Sequence, residues 1–150
     1  MKEKSLLATM AYGVSYSTLV VVHGDMATTD EDWDRYVGAA RTLAYDNLLV
    51  YATEKHPGPT PVQRRKGADA LGSRDPTPHV SVMLHNWTLR HVVTAFNWML
   101  GSTMRAFRPD DWDGAFDYLK VPAEHRHDIR RETLALLAEL APTSTRSTGT

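Results

Sequence analysis

Ser17-Thr18-Leu19-Val20-Val21-Val22-His23-Gly24-Asp25 runs into Thr29-Asp30-Glu31-Asp32-Trp33 and sets the pattern of this chain. Residues 19–22 are apolar at both parities, as in a central strand covered on both faces. Gly24-Asp25 ends that strand. Thr29 and Asp32 have the spacing of a capping box, with Asp in place of the usual Glu. Trp33, Tyr36, Val37 and Ala40 follow at i, i+3, i+4 and i+7, so residues 30–43 read as an amphipathic helix. Its acidic first turn suits the positive end of the helix dipole. The rest of the chain repeats this alternation of strand, turn and capped helix.

Upstream, Tyr12, Val14 and Tyr16 share one parity, the mark of a half-buried strand. A hairpin turn at Ser17-Thr18 makes the first two strands antiparallel neighbours. Residues 1–11 have a charged start and few apolar positions, and read as the lead-in to the first strand.

Downstream, residues 48–52 form another short apolar strand. Residues 54–61 carry Pro57, Gly58, Pro59 and Pro61, which forbid regular structure there. Thr60 followed by Pro61 is an N-cap and N1 pair, opening a helix over 61–71 that ends at Gly72. That helix has a modest apolar face of Val62, Ala68 and Leu71, and exposes Gln63, Arg64, Arg65 and Lys66. Residues 79–85 predict a strand. Residues 89–100 predict a helix closed by Gly101, and 102–107 a last edge strand guarded by Arg105. A helix opens at Pro109-Asp110-Asp111-Trp112. Pro122 starts a final helix to about residue 141. Residues 142–150 are Ser/Thr-rich with little to bury and read as a disordered tail.

The order β-β-α-β-α-β-α-β-α-α predicts an α/β domain over 1–141. Its sheet is mixed, mostly parallel and four- to five-stranded, with an extra C-terminal helix. The composition agrees with one domain: 150 residues, 42% of them hydrophobic,. A net charge of -1 argues against a general nucleic-acid binder, which would show a basic excess. No cysteine is present, which excludes disulfides, zinc-thiolate sites and thiol catalysis and fits a cytoplasmic location. No segment approaches the ~20 apolar residues that span a bilayer.

The element order with its leading hairpin, together with Val20-Val21-Val22-His23-Gly24 leading to Asp32-Trp33-Asp34, resembles the STAS or SpoIIAA-like domain family over roughly residues 11–119. Members of that family include anti-sigma-factor antagonists of bacteria and accessory domains of anion transporters. The resemblance implies a non-enzymatic regulatory or scaffolding domain that signals by binding a protein partner or by self-association. It also implies a phosphorylated hydroxyl at the start of the helix after the third strand. Thr60 is the hydroxyl at that position here. The family's Asp-Ser pair is missing, and the turn is longer. Thr60 is accordingly either a modified residue or simply the helix cap, and a phosphate at a helix N-terminus would be well tolerated.

The residues offer a second reading. His23 and Asp25 end the central strand, where open α/β sheets place ligands. His56 follows the next strand and His85 the one after. A cluster of His23, Asp25, His56 and His85 along one sheet edge would serve a small-ligand-binding or hydrolytic protein. His125 and His127 stand two apart on a helix and point ~200° apart, so they do not grip one ion. No metal or cofactor motif is found, nor a Gly-x-Ser-x-Gly elbow or a phosphate loop. Arg64, Arg65, Lys66 and Arg74 form a small basic patch that reads as a solvated helix face. Trp33 and Trp112 belong to helix stripes. Trp87 lies in a turn and Trp98 falls off the apolar face of its helix. With Pro57, Pro59, Arg64 and Arg65, these two tryptophans mark the candidate interface.

Overall fold

The computed structural model describes residues 1–148, with side chains described as far as Leu140. Six strands, β1 (Lys2–Leu6), β2 (Met10–Ser15), β3 (Thr18–His23), β4 (Asn47–Ala52), β5 (Val80–Leu84) and β6 (Met104–Phe107), form one sheet in chain order. The pairs β1–β2 and β2–β3 are antiparallel, and β3 to β6 are parallel. The α/β class stands. The sheet has six strands, however, and not four to five.

The extra strand is β1, within the segment read as a lead-in. Lys2, Glu3 and Lys4 give it no apolar alternation. It lies at the sheet edge, where backbone pairing alone holds a strand and the pattern of buried side chains is absent. Its register shifts between Lys2 and Ser5, and Glu3 adopts φ +54°. A charged, irregular edge of this kind resists pairing with another chain.

Helices α1 (Asp30–Thr42), α2 (Pro61–Gly72) and α3 (Arg90–Leu100) are the crossovers between consecutive parallel neighbours. Crossovers of one hand along one direction of the sheet put all three on one face. A single 3₁₀ turn, Trp87–Leu89, precedes α3. Helices α4 (Trp112–Leu119) and α5 (Ala123–Thr148) follow β6 and cover the other face. The backbone of α5 continues beyond the end predicted near 141; of the tail predicted over 142–150, residues 149 and 150 lie outside the described residues.

Strand alternation divides the core in two. Leu19, Val21, Leu48 and Val80 face Trp33, Tyr36, Leu71 and Phe96 of α1–α3. Val20, Val22, Leu49 and Met83 face Trp112, Phe116, Ile129 and Leu136 of α4 and α5. Central strands buried on both sides require apolar residues at both parities, and residues 19–22 are all fully buried.

Half of the expected capping box is made. Asp32 N–H donates to Thr29 Oγ1 at 3.2 Å. The Asp32 carboxylate instead accepts from the N–H and hydroxyl of Thr9, the latter receiving the Thr29 N–H. The start of α1 is thereby tied to the β1–β2 connection.

Candidate site at the carboxyl end of the sheet

His23, Ala52 and Leu84 are in register at the ends of β3, β4 and β5, on the α1–α3 face. His23 therefore points beneath α1, and its ring lies 6.0 Å from that of Trp33. His56 comes from the loop after β4 and stacks on His23, with 4.6 Å between centroids. His85 follows Leu84 by one residue and so points to the other face. There it meets the Tyr51 hydroxyl at 2.8 Å, with Tyr51 stacked on Trp112. The predicted four-residue cluster is corrected accordingly: His23 and His56 meet, and His85 is separated from them by the sheet. Asp25 is exposed and accepts from Thr53 Oγ1 at 2.7 Å. Its charge reaches His56 and favours the protonated ring there.

Both imidazoles are held at Nδ1. The His56 Nδ1 lies 3.0 Å from the Gly24 carbonyl and 3.2 Å from that of Met26. Carbonyls only accept, so this nitrogen carries the proton and Nε2 keeps its lone pair. The His23 Nδ1 is 3.0 Å from Thr28 Oγ1. Burial pushes the pKa of His23 down to about 3, and its neighbour His56 adds to the effect. Burial also lowers His56, against the opposing pull of the two carbonyls and Asp25. Both rings are neutral near pH 7.

Beside this pair lies a cavity of about 70 Å³ between the sheet and α1–α3. Helix α2 turns Gly67, Ala68, Ala70 and Leu71 inward, and of these Gly67 and Leu71 line the cavity. These are mostly small residues and do not fill the space over β4 and β5. Val50, at the middle of a central strand, remains only partly buried. A Cβ at Gly67 would stand 3.2 Å from Trp33 Cζ2 and 3.3 Å from Phe96 Cε1, so glycine lets both rings close over the helix. Gly58, Pro59, Leu89 and Val92 line the cavity and are half-buried, which places its mouth between the proline-rich loop and α3. Gly58 adopts φ +88° there, a conformation that suits glycine,. Among the described residues the lining includes no Lys, Arg, Asp or Glu. Trp33, also in the lining, has a buried indole N–H without a hydrogen-bond partner among the described residues.

The loop is fixed by the start of α2. Thr60 Oγ1 accepts from the Gln63 N–H, and the Gln63 side-chain carbonyl accepts from the Thr60 N–H, a complete capping box. The same Gln63 amide donates to the Thr28 carbonyl and to Asp30 Oδ1. Gln63 is thus buried, not exposed as its helical position predicts. Thr60-Pro61-Val62-Gln63 was readable as a Thr-x-x-Gln capping signature; the additional bonds to α1 were not. Val62, predicted on the apolar face, is 55% exposed.

The predicted basic patch does not form a single surface. Lys66 pairs with Asp34 at 2.9 Å. Arg64 Nη1 donates to the Pro59 carbonyl. Arg74 donates to the carbonyls of Ala40, Arg41, Leu43 and Tyr45 and stacks 3.8 Å from the Tyr45 ring. It satisfies the C-terminal carbonyls of α1, where a cation is favoured. Among the candidate interface residues, Pro57 and Arg65 are exposed, and Pro59 lines the cavity mouth. Trp87 is half-buried near the guanidinium groups of Arg90 and Arg108. Trp98 on α3 is 87% exposed. Trp33 and Trp112 are buried.

Among the described residues, no group of three or more His, Asp or Glu is placed to hold a metal ion, and no helix is long and apolar enough to cross a membrane. No family model matches the chain, and neither a curated protein nor a solved structure matches it.

Proposed function

We propose that this chain binds a small, mainly apolar ligand in the cavity between the sheet and α1–α3. The observation that carries the reading is the cavity itself: an uncharged pocket along the α1–α3 face of the parallel strands, from Val80 and Met104 at the starts of β5 and β6 to a stacked pair of neutral histidines at the carboxyl end of the sheet. Ligands of open α/β sheets occupy this end of the sheet, and apolar pockets with a few convergent polar groups are the usual small-molecule sites. Among the described residues the pair is held by the Thr28 hydroxyl and two backbone carbonyls and makes no hydrogen bond to a carboxylate, which favours binding over turnover,. Xenon is the direct probe, since dry apolar cavities admit it. Methyl resonances of Val50, Val82 and Met104 shift under xenon in the native chain and are unmoved in Val50→Phe, which fills the space. Equal shifts across the whole core would refute a defined site.

A second reading has its own observation. Trp98 and Met99 stand exposed together on α3, and large exposed aromatics anchor interfaces,. The leading hairpin and the helix-separated parallel strands support the likeness to STAS or SpoIIAA-like domains and, through it, regulation by a protein partner or by self-association in the cytoplasm. On this reading Thr60 is the phosphorylated hydroxyl; its Oγ1 already serves as the α2 cap. Sedimentation at rising concentration tests it. A mass increase that Trp98→Ser abolishes supports the reading, and a constant monomer mass removes self-association from it.

A further inference from the structure

The outer edge of β6 is closed at one residue and open at another. The Val80 N–H donates to the Thr103 carbonyl at 2.9 Å, with Val80 opposite Met104. Parallel pairing alternates along a strand, so Arg105 turns its backbone groups to β5, and Met104 and Ala106 turn theirs outward. Asn97 of α3 holds Met104 as a neighbouring strand would. Its Nδ2 donates to the Met104 carbonyl at 2.8 Å, and its Oδ1 accepts from the Met104 N–H at 2.9 Å. The Arg108 carbonyl accepts from the Asp111 N–H. Between them, the N–H and carbonyl of Ala106 have no outward partner among the described residues.

A groove of about 810 Å³ follows this edge between α3 and Tyr118 of α4. Among the described residues its lining includes Arg90, His91 and Arg105 and no Asp or Glu. Trp87 also lines it, with the guanidinium of Arg90 5.9 Å and that of Arg108 4.6 Å from its ring. Arg105 lies 4.8 Å from the Tyr118 ring. All three arginines are exposed, and none pairs with a carboxylate among the described residues. Met104, Ala106 and Trp87 belong to the α1–α3 side of the sheet, and Arg105 points to the α4 side,. The open backbone pair at Ala106 thus has positive charge on both sides of it.

These features select an occupant. One residue of an extended peptide laid antiparallel to β6 exchanges both of its backbone hydrogen bonds with Ala106. Its side chain then points with that of Ala106, toward Arg90 and Arg108, and the next side chain points toward Arg105. Carboxylates at both positions meet guanidiniums that have no other anion. A basic strand is repelled by the same arginines. A single-stranded nucleic acid would use the charges but has no peptide group to pair with Ala106.

We propose that the β6 edge docks a short extended segment of an acidic protein partner, which adds a strand at Ala106 and sets consecutive carboxylates against Arg105 on one face and Arg90 and Arg108 on the other. This rests on neither the cavity nor Trp98, so its failure leaves both readings above standing.

The test is an NMR titration of the full chain with acetyl-Thr-Glu-Glu-Glu-Thr-amide, followed at the backbone amides. The Ala106 N–H shifts downfield, and the peptide binds at least about fivefold more tightly than its counterparts with three Gln or three Lys, as a few cross-strand ion pairs require. Methylating the amide nitrogen of the central Glu removes one hydrogen bond and costs roughly fivefold or more in affinity. Arg105→Gln, at an exposed position, lowers affinity by about two- to fivefold. Equal affinity for the Glu and Gln peptides overturns the acidic class. Equal affinity for the methylated peptide overturns strand addition, and an unchanged affinity in Arg105→Gln overturns the placement in this groove. Tighter binding of a thymidine pentanucleotide overturns the peptide partner, and no binding of the Glu peptide overturns the proposal as a whole.

Discussion

On the α4–α5 face, Met83, Phe116, Ile129 and Leu136 are nearly or wholly buried over the central strands. On the α1–α3 face, Val50 stays partly open beside a cavity, and the polar rings of His23 and His56 are buried against Trp33. The same strands supply both faces, with Val, Leu and Met on each. The contrast comes from the helices. Large side chains from α4 and α5 fill one side, and the small inward residues of α2 leave the other incomplete. One side of the sheet is thus built for packing, and the other keeps space and hydrogen-bonding capacity that packing does not use.

The filled side is tested most severely by Phe116→Ala. It should cost about 3–5 kcal/mol in urea unfolding, as for other core phenylalanines. A cost below about 1 kcal/mol would mean that this face is no better packed than the other.

Acid should act through the α1–α3 side. His23 and His56 are neutral in the fold and protonate more readily once unfolded, at the ordinary histidine pKa of about 6.5,. The unfolded chain therefore binds more protons below that pH. Their contribution is fully present above about pH 6.5 and falls with decreasing pH, in the case of His23 down to about 3,. The slope approaches ~1.4 kcal/mol per pH unit for His23, and His56 adds to it in the same direction,. Urea unfolding at pH 7, 6, 5 and 4 measures it. His23→Leu should flatten the curve, and an unchanged slope in that variant would remove the buried pair from the account.

Arg74→Lys should cost about 1–3 kcal/mol, because an ammonium cannot reproduce a guanidinium spread over several carbonyls and a ring. Thermal unfolding at neutral pH measures that loss. A neutral outcome would show that the end of α1 is held by other contacts.

The matched pair Val22→Ala and Val50→Ala compares the faces directly. Both residues are in central strands, Val22 fully buried on the filled side and Val50 beside the cavity. Val22→Ala should cost about 2 kcal/mol and Val50→Ala about 1, since fewer contacts surround the second. Equal losses would indicate that the cavity closes around Val50.

Most of the fold was legible. Doubly apolar strands, helices with one apolar stripe, and Pro–Gly punctuation are local patterns, and they located β2 to β6 and all five helices. Edge strand β1 escaped because an edge needs no buried pattern. The candidate site was half legible: His23 and His56 stand where strands end, and strand ends are visible in sequence. His85 was misplaced because the face it takes depends on register against β4. Gln63 and Arg74 looked like solvated positions because their partners, Thr28 and the carbonyls closing α1, come from distant segments.

The amino-acid order determined periodicity, caps and turns, which depend on neighbours a few positions away. It also placed the small Ala68, with Leu71, on the inward face of α2. Only the tertiary structure decided that a cavity remains beside this face, that two histidines 33 positions apart stack on one face, and that the Trp33 N–H finds no partner among the described residues. These outcomes depend on sheet register, crossover hand and the summed volumes of side chains from several elements, and no local stretch of sequence contains those quantities.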